Sequence, residues 1–157
     1  MNSMSDEKRE GVLNKNGYIL DTDVLIAFLR GKIPELKKKI EELLDHNIPL
    51  YLSMISLGEL YLGAFKAENP PKSLFLVNTL KDKMEVLDLT EEVMMLYGEI
   101  EAVLEKAGQA IGDFDVLIAS TAIKHDMTLV SGNTRHFRRI ITLFGQLEFE
   151  EWEIKPL

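Results

Sequence analysis

The sequence predicts an α/β protein, a three-layer α/β/α sandwich whose central, mainly parallel twisted sheet is flanked by helices. Three observations carry that expectation. Short apolar strands alternate with amphipathic helical segments between residues 18 and 153, the order expected of parallel strands joined by helical crossovers. The chain has 157 residues, a length that suits one domain with a substantial core. Hydrophobic residues make up 46% and charged residues 28%, ordinary values for a packed globular chain rather than a disordered one.

Taken in order, residues 1–16 are polar and without periodicity, so they read as a flexible leader, and residues 17–157 as a single domain. Residues 18–20 form a short apolar strand ending at Asp21, and 24–29 a helix stopped by Gly31. Pro34 suits the first turn of a helix carrying Leu36, Ile40, Leu43 and Leu44 at helical spacing. Residues 49–53 are a second buried strand. Ser56 is expected to cap the next helix, with Glu59 closing a capping box three residues on. Asn69-Pro70-Pro71 breaks that helix, and another runs to Met84. Residues 85–89 are a strand, after which Thr90 caps a long helix that Gly108 ends. Asp113 or Asp115 is expected to cap the following helix. Residues 128–131 are a strand, 134–140 a short helix, and 147–153 the last strand.

Composition narrows the function. No apolar run approaches the ~18 residues of a membrane span, and the N-terminus lacks the apolar stretch of a secretory signal. The absence of cysteine excludes disulfides, thiol nucleophiles and Cys-based metal sites; a cytoplasmic protein is expected. The net charge of −8 argues against non-specific coating of nucleic acid. It leaves room for a nuclease, because carboxylates that hold a metal are themselves negative.

In an open parallel sheet, ligands sit beyond the carboxyl ends of the strands. Four polar side chains from four segments belong there: Asp21 after the first strand, Glu59 after the second, Asp115 at a helix start, and Asn133 after the strand at 128–131. Each also has a local explanation, as a cap or a turn residue. Three of the four are carboxylates, and crowded carboxylates repel unless a cation intervenes. Mg²⁺ or Mn²⁺ takes such oxygen ligands, usually with water and substrate phosphate. Nucleotide-binding glycine loops and the G-x-S-x-G elbow of hydrolases do not occur. Basic residues gather at Arg30 and Lys32, and again at Arg135, His136, Arg138 and Arg139, where they suit RNA phosphates.

The segment YILDTDVLIAFL resembles the first motif of the PIN-domain ribonucleases, and SMISLGELYLGA the second. IGDFDVLIASTAIKHDMTLVSGNTRHF resembles the third and fourth, and LEFEEW the closing strand with its Trp. The chain looks most like the VapC type, the toxin half of a toxin–antitoxin pair. The resemblance implies Asp21, Glu59 and Asp115 as an acidic, metal-holding triad, with Asn133 in a fourth place that is often acidic elsewhere in the family. It implies that the Thr22 hydroxyl steadies Asp21 or a water, and that Asp113 lends an outer carboxylate. Asp23 stands where Asn is common, either as a ligand or as a cap. Ser131-Gly132 departs mildly from the usual Thr and polar residue. The implied activity is a Mg²⁺-dependent endoribonuclease in which a metal-activated water attacks the phosphodiester, leaving a 5′-phosphate and a 3′-hydroxyl. The implied partners are RNA, a cognate antitoxin and a second copy of the chain; Leu74, Leu76, Met94, Met95 and Tyr97 are the expected dimer contacts, because the helical segments at 70–82 and 91–107 carry more apolar side chains than one core face needs. Two rivals remain: a phosphatase of the haloacid dehalogenase type using Asp21 as nucleophile, and a non-catalytic PIN interaction module.

Overall fold

A computed structural model of the chain describes residues 16–155; the leader expected at 1–16 lies, but for Asn16, outside the described residues. Five strands run β1 (Tyr18–Leu20), β2 (Leu50–Ser53), β3 (Glu85–Leu87), β4 (Thr128–Ser131) and β5 (Phe149–Glu151). Among the described residues, seven helices connect and flank them: α1 (Thr22–Arg30), α2 (Pro34–Asp45), α3 (Met54–Lys66), α4 (Pro70–Lys83), α5 (Glu91–Lys106), α6 (Asp113–Lys124) and α7 (Thr134–Leu143). The sheet order is β3-β2-β1-β4-β5 and every neighbouring pair is parallel. The three-layer α/β/α sandwich is therefore present, with a sheet parallel throughout.

Strand alternation splits the apolar residues between two cores. Tyr18, Leu20, Leu52 and Val130 face one side, where Val24, Leu25, Ile40, Leu60 and Leu80 of α1–α4 cover them. Ile19 and Leu129 face the other, beneath Ile100, Leu104, Ile118, Phe137 and Ile140 of α5–α7. Each fully buried Leu or Ile of this kind contributes about 1.5–3 kcal/mol through removal from water. The chain builds outward from β1 in one direction through β2 and β3, then in the other through β4 and β5. The crevice of such a sheet opens at the carboxyl ends of the two strands where the order turns, here β1 and β4.

Three local expectations are corrected. The cap of α3 is Ser53, whose hydroxyl accepts from the Ser56 N–H at 3.0 Å; β2 ends at Ser53 in register with Leu87, so the helix starts one turn earlier than Ser56. The residue before α6 is Gly112, which has no side chain to cap with; Asp113 and Asp115 lie inside the first turn. The last strand is confined to Phe149–Glu151, which pair with Leu129, Val130 and Ser131 of the short β4.

Candidate active site

Asp21 closes β1 and caps α1. Its N–H donates to the Val130 carbonyl at 2.8 Å, so the end of β4 fixes its backbone. Both side-chain oxygens are held: Oδ1 accepts from the Thr22 N–H at 2.8 Å, and Oδ2 from the Ser131 hydroxyl at 2.8 Å. Asp23, one turn-step away, accepts from the Val24 N–H at 2.7 Å and the Gly132 N–H at 3.1 Å. Its oxygens also lie 3.3–3.4 Å from the Ser131 hydroxyl, which has one proton to give and sits closer to Asp21. Asp23 is thus a brace between α1 and the β4–α7 turn.

The electrostatics follow from this crowding. Asp21 is only 7% exposed. Burial, then the charge of Asp23, and more weakly that of Asp115, lift its carboxyl from 3.8 to about 7, against the bonds from Ser131 and Thr22 that favour the charged form. Burial also raises Asp23. Among the described residues neither carboxylate pairs with a Lys or Arg.

The Thr22 hydroxyl serves Glu59 rather than Asp21. It donates to Glu59 Oε1 at 2.8 Å and lies 2.9 Å from the Ser56 hydroxyl, so the backbone N–H of Thr22 steadies Asp21 while its side chain steadies Glu59. Asp115, on the first turn of α6, lies near enough to raise Asp21, and its Oδ2 is 2.7 Å from Nδ1 of His136. Asp113 is exposed and accepts from the Tyr97 hydroxyl at 3.1 Å, at the outer edge. Asn133 precedes α7; its N–H donates to the Ser131 hydroxyl at 2.9 Å, and its side chain caps nothing.

Asp21 and Asp23 thus meet at the Ser131 hydroxyl, Asp115 is near enough for its charge to act on both, and Glu59 is tied in through Thr22. Among the described residues no three His, Asp or Glu groups close around one point. That donor set suits a hard cation bound in the manner of Mg²⁺, through one or two carboxylates with water completing the shell. Of the basic residues, Arg30 lies on a groove that Glu59 also lines, Lys32, Arg135 and Arg138 are exposed, and Arg139 donates to the Ala110 carbonyl at 3.2 Å, bracing the loop before α6. Two contributors escaped the sequence reading, the Ser131 hydroxyl and the His136 contact with Asp115. For His136 a signal existed: Phe137 and Ile140 mark the buried face of α7, and residue 136 borders it.

The PIN domain family matches residues 18–142 of this chain. Ribonuclease VapC2 of Rickettsia felis is 32% identical over 136 residues, covering 87% of this chain and 98% of that protein. A tRNA(fMet)-specific endonuclease VapC of Shigella flexneri is 29% identical, covering 86% and 97%. Among solved structures, VapBC2 from Rickettsia felis bound to a DNA fragment from their promoter superposes with a TM-score of 0.79 at 29% identity, covering 87% of this chain and 98% of that one.

Proposed function

The chain belongs to the PIN-domain family, and on that footing we propose that it is a divalent-metal-dependent endoribonuclease, the toxin half of a toxin–antitoxin pair. The observation that carries this reading is Asp21, a buried carboxylate crowded by Asp23 and Asp115 with, among the described residues, no cationic side chain paired to it. Asp21 and Asp115 are the residues to hold Mg²⁺ or Mn²⁺. When bound, such an ion supplies Lewis acidity to phosphate oxygens and to the attacking water. The chain does the rest. The Thr22 amide and Ser131 hydroxyl fix the aim of Asp21, while Thr22 Oγ1 holds Oε1 of Glu59. Glu59 is left with its second oxygen to orient the water and accept its proton. Asn133 faces the substrate side, and Arg30, Lys32, Arg135 and Arg138 meet RNA phosphates. Membership of the PIN family sets the aspartyl phosphatase aside.

The antitoxin reading rests on a groove of about 430 Å³ whose lining includes Ile26, Leu29, Glu59, Leu60, Ala64 and Leu76. An amphipathic helix or strand fits that apolar floor, and an Arg or Lys on it would reach toward the carboxylates and shut out the cation and phosphate. Of the residues expected at a self-association face, Met94 and Met95 are exposed on α5 and lie outside that groove, whereas Leu76 lines it.

The test is direct. Purified protein is incubated with a pool of structured and unstructured RNAs, tRNA included, with Mg²⁺, with Mn²⁺, and with EDTA, and the ends are mapped. Cleavage that needs metal and leaves 5′-phosphates supports the proposal. A folded protein that cleaves nothing in either metal favours the interaction module instead.

A further inference from the structure

We infer that His136 is a positioning residue for Asp115: from the first turn of α7 it fixes the direction in which that carboxylate presents its free oxygen to the cation. The inference rests on the metal-dependent reading above. Its basis is a 2.7 Å contact between His136 Nδ1 and Asp115 Oδ2. A carboxylate can only accept, so Nδ1 carries the proton and the imidazole is the donor. Oδ2 is then committed, and Oδ1 is left for the metal. Asp21 is different, since the Thr22 amide and the Ser131 hydroxyl already occupy both of its oxygens. Of the two carboxylates proposed as holders, Asp115 is the one whose aim depends on a single side chain.

That side chain stands on a rigid mount. Phe137 and Ile140 anchor α7 in the second core, and Val116, Ile118 and Ala119 anchor α6 in the same core. Neither helix is free to follow the other's side chain, so the His136–Asp115 bond has a set length and direction. The ring has no competing task. Its side chain is 37% exposed, so the core does not need it, and Asn133 stands at the cap position before α7, so His136 is not the cap. Hydrogen bonds to a metal's carboxylate ligand typically govern affinity by 10–100-fold.

Three substitutions separate this from simple packing. In His136→Asn the amide N–H takes roughly the place of Nδ1–H; in His136→Gln it lies one bond too far; His136→Phe keeps the ring and donates nothing. Metal-free protein is titrated with Mn²⁺ alone and followed by electron paramagnetic resonance, and kcat and KM are measured on a single-stranded RNA. We expect His136→Phe and His136→Gln to weaken Mn²⁺ binding by about 10–100-fold, and His136→Asn by no more than about threefold. The RNA KM should stay near the native value while kcat at fixed Mn²⁺ falls with the affinity. Native-like Mn²⁺ affinity in His136→Phe overturns the inference. So does a His136→Asn that binds as weakly as His136→Phe, or a nitrogen coupling on the bound Mn²⁺ that marks His136 as a direct ligand. Should His136→Phe fail to fold by circular dichroism, the Asn-versus-Gln difference decides alone. Native protein that binds Mn²⁺ yet cleaves no RNA removes the ribonuclease reading and leaves the His136 comparison intact; native protein that binds no Mn²⁺ removes both.

Discussion

Burial and two neighbouring charges make Asp21 bind its proton far more tightly in the folded chain than the ordinary value of 3.8, up to about 7. The sign follows from linkage: the folded state takes up a proton that the unfolded state has released, so Asp21 favours folding at low pH, and that contribution is lost as pH rises from about 4 through about 7. Metal-free protein should therefore melt at a lower temperature at pH 8 than at pH 5.5, and Mn²⁺ should reverse much of the difference. Asp21→Asn removes the charge but keeps the shape. We expect it to abolish RNA cleavage while raising the metal-free melting temperature at pH 8 by about 2–4 °C, the shift that roughly 1 kcal/mol produces in a chain of this size. Full activity, or a melting temperature that falls, would remove Asp21 from the site. Thr22→Val tests the neighbouring link. Losing the hydroxyl frees Glu59 Oε1, and kcat should fall about 10–100-fold, the scale of a misaimed general base, with RNA binding by filter retention unchanged. Asp21 stands out in the sequence as the acid that closes the apolar strand at 18–20, Glu59 as an acid inside an apolar helix, and Asp115 as the second acid of a helix start. The Ser131 and His136 contacts are not legible there, since each spans segments 21 or more residues apart that only the docked sheet brings together.

At the scale of elements, the turn from β4 to α7 is tight because the tail after β5 and the Asp23 side chain both close on it. A Cβ on Gly132 would lie 2.5 Å from the Ile154 side chain and 3.3 Å from Asp23 Oδ2. The segment after β5 is held down by Trp152, whose N–H donates to the Ser131 carbonyl at 3.1 Å, so Ile154 has little room to retreat. Gly132→Ala should destabilise the fold by about 1–3 kcal/mol, the usual cost of overpacking, measured by urea unfolding, and should weaken activity by displacing Asp23. Unchanged stability would mean that the tail moves freely. A glycine is what the returning tail requires here. Element types were legible throughout because the strands are short apolar runs set between longer segments of 3.6-residue periodicity, and Pro34, Pro70 and Thr90 mark helix starts. Boundaries were less so. Two serines three apart, Ser53 and Ser56, offer the same cap, and only the pairing of β2 with β3 selects the first.

The whole molecule carries a net charge of −8, which sets how partners arrive. A basic antitoxin segment should associate faster at low salt, and its on-rate should drop as ionic strength rises past the point where the Debye length is about 10 Å. Stopped-flow mixing at several salt concentrations checks this; a salt-independent rate would place the partner's charges away from the carboxylates. Met95 is 73% exposed, and Met95→Glu should shift light scattering toward monomer if α5 is the self-association face. The two cores have a last consequence. Asp21, Thr22 and Glu59 ride on helices of the first core, Asp115 and His136 on helices of the second. A ribosome that has delivered the chain as far as residue 110 has made the first set and none of the second. On the proposed reading, the growing polypeptide lacks part of its carboxylate cluster until the final third has emerged and β4 has paired with β1.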